Sequence, residues 1–408
     1  MSRVHDLVVV GAGPAGSATA LYAARAGLDV ALVDKRTFPR DKICGDAIAR
    51  KSLSHLQELG LLDRLKLTTH ESIGRAVLSS PGGHEIVVDL SAGGDPAPHA
   101  VCRRELFDHV LFDAARGEAT TLEGAVVTDI LRTAGRAAGV VCRAGGREQE
   151  IRARVVVGAD GFDSVVARRL GCYRHDSSRW FVATRGYYRG FDVARRTVEV
   201  HFVRDTLPGF LWIFPTGDGV ANVGLGLVHR DLKRRRVRLR DVHEAVLQSP
   251  RFRDRFARAE RIGNIQGWNL PTPDPRRTLA GDGFLLVGDA AGLVDPFSGE
   301  GIGNALASAR VAAGVIAEAV RERESAHVLA HYPARLWAAV DAREIALHYR
   351  LRSVARRERV IDFVVGRAAA HTDVLQWVHT MTSEHGALAR KQNLLSPLTY
   401  ARLLLRRR

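Results

Sequence analysis

The sequence is poor in cysteine. It holds four in 408 residues, Cys44, Cys102, Cys142 and Cys172, all widely spaced. They form no CxxC pair, zinc spacing or disulfide framework. No metal site is expected, and the chain reads as a reduced, cytoplasmic protein. No stretch longer than 18 residues is free of charge, which argues against a transmembrane helix. The N-terminus runs straight into an apolar strand, so no signal peptide is expected. GxSxG and HExxH patterns are missing, which sets aside nucleophilic hydrolysis and zinc chemistry. Helix-turn-helix, zinc-finger and RNA-binding motifs are missing too.

Positive charge is in excess. The formal net charge is +15, and arginine far outnumbers lysine. Such a balance suits nucleic acid, an anionic membrane surface or a phosphorylated substrate. Codon bias toward arginine accounts for part of it, and without a recognition motif no nucleic-acid partner is expected. Contact with a membrane surface, peripheral at the inner membrane face, stays open. The length suggests two or three domains.

The most informative segment comes first. Asp6 to Val10 is a short apolar, β-branched run, read as a buried parallel strand. Gly11-Ala-Gly-Pro-Ala-Gly16 follows, then a helix of small residues from Ser17 to Ala26, then a second strand Val30 to Val33 ending at Asp34. In this strand–turn–helix–strand unit Gly11 makes the tight turn, Gly13 lets the backbone approach a pyrophosphate, and Gly16 permits close helix–strand packing. The helix N-terminus offers free N–H groups to phosphates. Asp34 is placed to accept hydrogen bonds from a ribose.

A second segment, Gly283 to Gly292, is another apolar strand, ending in small residues and Asp289. Asp289 is placed for a polyol chain such as ribityl. The following Leu293 to Asn304 opens a long helix near Gly301, and a helix dipole there would stabilise a reduced, anionic flavin. A nicotinamide needs no such second site, and no second GxGxxG exists for a dedicated NAD(P)H domain. Flavin is therefore favoured over nicotinamide as the resident cofactor. A third segment, Val155 to Gly161, is a strand entering a tight turn that brings Asp160 and Gly161 close to a ligand. Arg104 opens a helix and is placed to reach the pyrophosphate as a bidentate donor.

Gly11 to Gly16, Gly158 to Gly161 and Gly288-Asp289 resemble, in order and spacing, the three FAD signatures of the flavoprotein hydroxylase superfamily. One departure is Ala167, where that family often has arginine; Arg168 is next, and its role is in doubt. Phe38-Pro-Arg-Asp-Lys-Ile-Cys-Gly-Asp46 resembles the PxxKxCG segment of the geranylgeranyl reductase family. Pro296 to Ile302, Gly209 to Pro215 and Arg185 to Arg189 resemble that family as well. The resemblance implies an α/β protein. Its Rossmann-like FAD-binding domain, of the p-hydroxybenzoate-hydroxylase type, would carry an inserted antiparallel substrate sheet and a helical C-terminal part. Beyond the residues already named, the FAD site would include Ala15, Lys35, Lys42, Cys44, Gly45, Val127, Gly288, Pro296, Gly299, Gly301 and Ile302.

The resemblance further implies an FAD-dependent reductase of isoprenoid double bonds on a lipid, quinone or prenyl diphosphate. NAD(P)H or another external reductant, an electron-donor protein included, would supply it. The alternatives are an FAD-dependent monooxygenase tailoring a secondary metabolite, and a non-redox rearrangement in a flavin-bound pocket. Halogenation is disfavoured, because the first tryptophan of WxWxIP is missing from Leu211 to Pro215.

Alkene reduction needs a proton donor opposite the flavin in a dry site. Cys44 is a proton donor, a gate or a spacer, or simply a small packing residue. Asp46 and Glu300 are the alternative acids, Glu300 doubling as a helix N-terminal charge. Lys42 folds over flavin or substrate phosphate, or is a solvated loop charge. Phe210, Trp212 and Phe214 alternate on one face of a strand, with Leu211 and Ile213 on the other. With Tyr187 and Pro215 they are the candidate wall for a hydrophobic small-molecule substrate.

The expected division is an FAD unit of 1–75, 100–172 and 270–322, a substrate unit of 76–99 and 173–269, and a helical region of 323–408. The basic run from His229 to Arg240 is read as leading into one helix through about Ala259. The tail Leu398 to Arg408 either lies in a membrane interface or docks on the protein.

Overall fold

The structure is a computed structural model and describes residues 3–91, 99–174, 176–322 and 325–382. The tail from Leu398 and part of the interval 76–99 lie outside the described residues.

The strand Val4–Val10 is the axis of the first sheet. It pairs in parallel on both sides, with Arg147–Gly158 and Val30–Val33. Leu7, Val8 and Val9 are completely buried, as a strand covered on both faces requires. The sheet runs Ala280–Gly281, Phe284–Leu286, Arg147–Gly158, Val4–Val10, Val30–Val33, Thr120–Leu122, with an antiparallel hairpin, Val126–Thr133 and Arg136–Ala144, attached. Register does the work that matters for function. Val10 lies opposite Gly158, and Gly158 opposite Leu286. The three glycine-bearing turns after these strands therefore leave the sheet side by side at its carboxyl edge, where α/β sheets bind ligands.

The helix Pro14–Arg25 starts at the first of these turns, with proline in its first turn, where a missing N–H costs nothing. A Cβ on Gly16 would stand 1.7 Å from the Gly11 carbonyl oxygen, so this contact is backbone on backbone. Gly13 differs: the nearest neighbour to a Cβ there is the Arg40 guanidinium at 3.6 Å. Protein packing does not demand glycine at 13, and the bare backbone leaves an open cradle at the helix N-terminus. After Phe284–Leu286 the chain turns into a short helix, Gly288–Ala291, before Ile302–Glu322 begins.

The second sheet has seven strands in the order Glu260–Pro271, Trp180–Arg189, Val220–Val228, Leu211–Pro215, Thr197–His201, Arg75–Ser79, Glu85–Asp89. An antiparallel sheet was expected, and one correction is needed. Thr197–His201 pairs in parallel with Arg75–Ser79, so the sheet is mixed. The parallel pair arises where two distant chain segments meet, and no hairpin connects them. Leu211 and Ile213 are fully buried under the helices Leu239–Leu247 and Arg253–Phe256, which turns Trp212 and Phe214 to the opposite face. The basic run after His229 is not one helix. It divides into His229–Arg235, Leu239–Leu247 and Arg253–Phe256, the first break falling at Arg236, whose φ is +56°.

The C-terminal helices divide between the two bodies. Tyr332, fully buried, donates its hydroxyl to the Leu286 carbonyl at 2.9 Å and so joins the first. Ile361, Val365, Ala368 and Trp377 instead form a separate core with Ile86 and Val88 of the second sheet. Among the described residues, no helix is long and apolar enough to cross a membrane.

These two glycines predict opposite outcomes. Gly16→Ala is expected to yield no soluble, folded protein, because backbone cannot retreat from backbone. Gly13→Val is expected to fold yet to elute colourless from gel filtration, where the parent elutes yellow with FAD bound. A Gly13→Val protein that keeps stoichiometric FAD would overturn the placement of the cradle.

Candidate functional site

Asp34 ends its strand with both carboxylate oxygens engaged. Oδ2 accepts from the Ala12 N–H at 2.6 Å and Oδ1 from the Arg36 N–H at 2.8 Å. A carboxylate offers about four acceptor positions, so room remains for a ribose hydroxyl. Lys35 beside it is exposed, and Val127 is buried in the hairpin. Asp160 accepts from the Val165 and Val166 N–H groups through Oδ2, while its buried Oδ1 has no partner among the described residues. Gly161 follows at φ +82°.

Arg104 departs from expectation. Its guanidinium is buried and already makes a bidentate pair with Asp108, at 2.6 and 2.8 Å. Asp108 also accepts from Arg40 at 2.6 Å. The fork expected to grip a pyrophosphate therefore grips Asp108. It is Arg40 that stands over Gly13, with the fully buried Asp108 fixing both cations. The Arg40 and Arg104 charges hold the Asp108 carboxyl below the usual carboxylate range, against the opposing effect of burial.

Asp289 is half-buried, and its carboxyl makes no hydrogen bond among the described residues. Burial raises its pKa, while Lys42 and Arg104 oppose the rise. Gly301 sits alongside: a Cβ there would be 3.7 Å from Asp289 Oδ1. Ala15 approaches Gly288, Pro296 and Ile302 are buried, and Gly299 turns the chain at φ +74°. An open helix N-terminus under an arginine, with a half-buried carboxyl and no protein partner at the neighbouring strand end, fits FAD: anionic at its diphosphate, hydroxylated at its ribityl.

The segment 38–46 crosses from the first sheet to the second. Arg40 is held by Asp108, whereas Asp41 accepts from Arg185 at 2.5 Å. Lys42 lies between the two bodies, with Nζ 4.1 Å from the centre of the Trp268 ring. Burial pushes its pKa down to about 8, although Asp289 opposes the fall. Asp46 is fully buried with φ +65°. Its Oδ2 accepts from the Tyr187 hydroxyl at 2.6 Å and from Asn222 Nδ2 at 2.8 Å. Asn222 also donates to the Cys44 carbonyl at 2.8 Å and accepts from the Trp212 indole at 2.9 Å. One buried amide thus locks the Cys44-Gly45 backbone to the aromatic strand.

Between the second sheet and the segments 43–47 and 297–300 lies a cavity of about 180 Å³. One water needs only about 15 Å³ by this kind of measure, so the space is more than a packing defect. Phe181, Phe210, Trp212, Phe214, Trp268, Leu270 and Phe297 wall it; Ile43, Cys44 and Gly45 close one side, and Ser298, Gly299 and Glu300 another. Cys44 is a free, partly buried thiol. Glu300 accepts from the Gly303 N–H, in the first turn of the long helix, at 2.5 Å.

Of the expected wall, Phe210, Trp212 and Phe214 line the cavity; Tyr187 and Pro215 do not. Of the expected acids, Cys44 and Glu300 line it, whereas Asp46 sits behind the loop with no surface exposed. Sequence reasoning missed Arg40, Asn222, Trp268 and Phe297. Asn222 carried a signal, as a lone amide inside the apolar strand Val220–Val228. Trp268 carried none, because its strand is largely exposed and without alternation.

Burial raises the Asp46 pKa to about 6, with hydrogen bonds from Tyr187 and Asn222 limiting the rise. A carboxyl whose pKa is raised on folding stabilises least when ionised. Its penalty is nil below the unfolded value near 4 and complete above about 6. Asp46→Asn removes this titration. The stability of the parent relative to the variant is expected to fall by about 3 kcal/mol between pH 4 and pH 7. Parallel pH profiles of thermal unfolding would refute it.

The profile of an FAD binding domain family matches residues 4–343. The menaquinone reductase of Mycobacterium tuberculosis is 35% identical over 317 residues, covering 76% of each chain. The digeranylgeranylglycerophospholipid reductase of Methanothrix thermoacetophila is 33% identical over 354 residues, covering 85% of this chain and 86% of its own. Among solved structures, a geranylgeranyl bacteriochlorophyll reductase-like protein from Thermoplasma acidophilum superposes with a TM-score of 0.84, at 22% identity and 98% coverage of both chains. The fold, the cradle for FAD and these relatives agree: the chain belongs to the geranylgeranyl reductase family of FAD-dependent oxidoreductases.

Proposed function

We propose that this enzyme saturates isoprenoid carbon–carbon double bonds, on a lipid, a quinone or a prenyl diphosphate. One observation carries the reading: the cavity against the second sheet is walled mainly by aromatic and aliphatic side chains, with few polar groups among them. An isoprenoid tail matches such walls. The relatives named for reducing menaquinone and digeranylgeranyl lipids support the same substrate class.

When bound, FAD supplies the two electrons of the reduction and is itself re-reduced by NAD(P)H or another external donor. The chain's own residues hold, exclude and deliver. Gly13 and Arg40 bind the diphosphate, Asp34 the ribose and Asp289 the ribityl chain. The aromatic walls exclude water, which keeps the electrostatics of the site strong. Cys44 delivers the proton from a thiol that lines the cavity. Glu300 holds the opposite end, anchored at the helix N-terminus. Asp46 positions Cys44 through Asn222 and touches no substrate. The FAD unit is made of 1–75, 100–172 and 270–322, and the substrate unit of 76–99 and 173–269. The positive surface suits a peripheral approach to an anionic membrane carrying the substrate.

The test is anaerobic. Holoenzyme reduced with dithionite is mixed with a menaquinone or a geranylgeranyl lipid, and the products are weighed by mass spectrometry. A gain of two hydrogens per bond without oxygen is expected. Cys44→Ala is expected to lower the rate by about a hundredfold with FAD content unchanged. A product that forms only in air and gains an oxygen atom would make the enzyme a monooxygenase.

A further inference from the structure

The turn 295–300 lines the cavity with Phe297, Ser298, Gly299 and Glu300, and its own hydrogen bonds converge on Asp295. Asp295 Oδ1 accepts from the Phe297 N–H at 2.9 Å, the Ser298 N–H at 2.7 Å and the Ser298 hydroxyl at 2.9 Å. The Asp295 N–H donates to the Glu300 carbonyl at 2.7 Å, and its carbonyl accepts from Gly299 at 3.1 Å. One oxygen of the carboxylate is thus spent inside the turn. The other, Oδ2, meets Nδ1 of His348 at 2.5 Å. His348 belongs to the helix Ala342–Val354, about fifty residues along the chain. Its other nitrogen faces Glu344 at 3.9 Å, and its ring packs 6.2 Å from that of Phe297.

The same helix grips the opposite wall. The Tyr349 hydroxyl bonds Thr272 Oγ1 at 2.8 Å and the Pro273 carbonyl at 2.7 Å. Arg352 donates to the Ser178 carbonyl and covers the ring of Phe181, itself a wall of the cavity. Tyr349 and Arg352 brace the sheet, while His348 reaches the turn. A carboxylate bonded through one oxygen alone leaves its second oxygen, and so its plane, less defined. A second hydrogen bond, from a rigid helix, fixes its plane and with it the path of residues 297–300.

We propose that His348 is a positioning residue, whose Nδ1–H orients Asp295 and thereby sets the turn Phe297–Glu300 against the flavin and the substrate tail. The inference rests on the reading that this turn fronts bound FAD. It does not depend on which substrate is reduced. Burial alone would raise the Asp295 pKa; the hydrogen bond and charge of His348 outweigh it and hold the carboxyl low. The contact is therefore charge-assisted and among the stronger ones available to a protein.

A pair of isosteric variants tests position, not mere bulk. In His348→Asn the amide nitrogen lies where Nδ1 was; in His348→Gln it lies nearer to Nε2. Both are purified as holoenzyme, and the visible circular dichroism and midpoint potential of the bound FAD are measured without any substrate. His348→Asn is expected to match the parent in both. His348→Gln is expected to shift the dichroism and potential, and to lose about tenfold or more in kcat with KM changed less than twofold. Glu344→Gln, which spares the Asp295 contact, is expected to match the parent. Asn and Gln variants that behave alike in the flavin spectra, whether both intact or both altered, overturn the proposal. Failure of the isoprenoid reading would instead show as missing turnover in the parent, with the spectral contrast between Asn and Gln intact.

Discussion

The site depends on one buried carboxylate. Asp46 lies in a left-handed backbone conformation, which aspartate tolerates better than most side chains, with no surface exposed. Burying a charge is costly unless hydrogen bonds replace water, and here the replacement is partial. Oδ2 receives Tyr187 and Asn222, while Oδ1 has no partner among the described residues. This polar cluster fastens the segment 38–46 to the second sheet. Through Asn222 it fixes the Cys44 carbonyl and the Trp212 indole at once. A group that destabilises the fold when ionised is retained where it anchors the loop that lines the cavity.

That segment also explains how two sheets of unlike construction share one site. Its side chains alternate in allegiance. Arg40 goes to Asp108 in the first body; Asp41 goes to Arg185 in the second; Lys42 sits between Asp289 and Trp268. Any relative movement of the sheets would break several of these contacts together. The C-terminal helix Ala342–Val354 adds a further link, through Arg352 to the Ser178 carbonyl and the Phe181 ring of the second sheet and through His348 to Asp295.

The flavin-binding half was legible in the sequence because its signals are local. Strand, glycine turn and helix follow within some twenty residues, and the three signatures only had to be brought into line, which the pairing of Val10, Gly158 and Leu286 does. The aromatic strand was legible for a similar reason: alternation of Phe210, Trp212 and Phe214 with Leu211 and Ile213 is a period-2 pattern. What escaped was long-range. Asn222 and Cys44 are 178 positions apart, and no pattern in either neighbourhood announces the other. Arg104 looked like a phosphate ligand because nothing local shows that Asp108, one turn away, would take its fork. The basic run after His229 looked like one helix because charge says little about where a chain turns. Arg236, in the left-handed region, ends the first of three.

Selectivity among isoprenoid bonds has a physical limit in a cavity of this kind. Each methylene buried against apolar walls is worth about 0.8 kcal/mol, so the walls hold a tail firmly but distinguish its repeating units poorly. Sliding by one isoprene unit exchanges like for like along Phe210, Trp212 and Phe214. Register along the tail must therefore be read where chemistry changes, at a polar head or at the closed end of the cavity. Arg185, 3% exposed and with its Nε–H lacking an acceptor among the described residues, lines the cavity, as do Ser298 and Glu300. The Arg185 guanidinium lies 4.4 Å from the centre of the Tyr187 ring and is tied to Asp41, which holds it in place. Fixed polar groups beside a slippery middle would convert a weak preference per carbon into a defined stop, because a misplaced head would leave the Arg185 Nε–H without an acceptor, at a cost larger than any single methylene supplies.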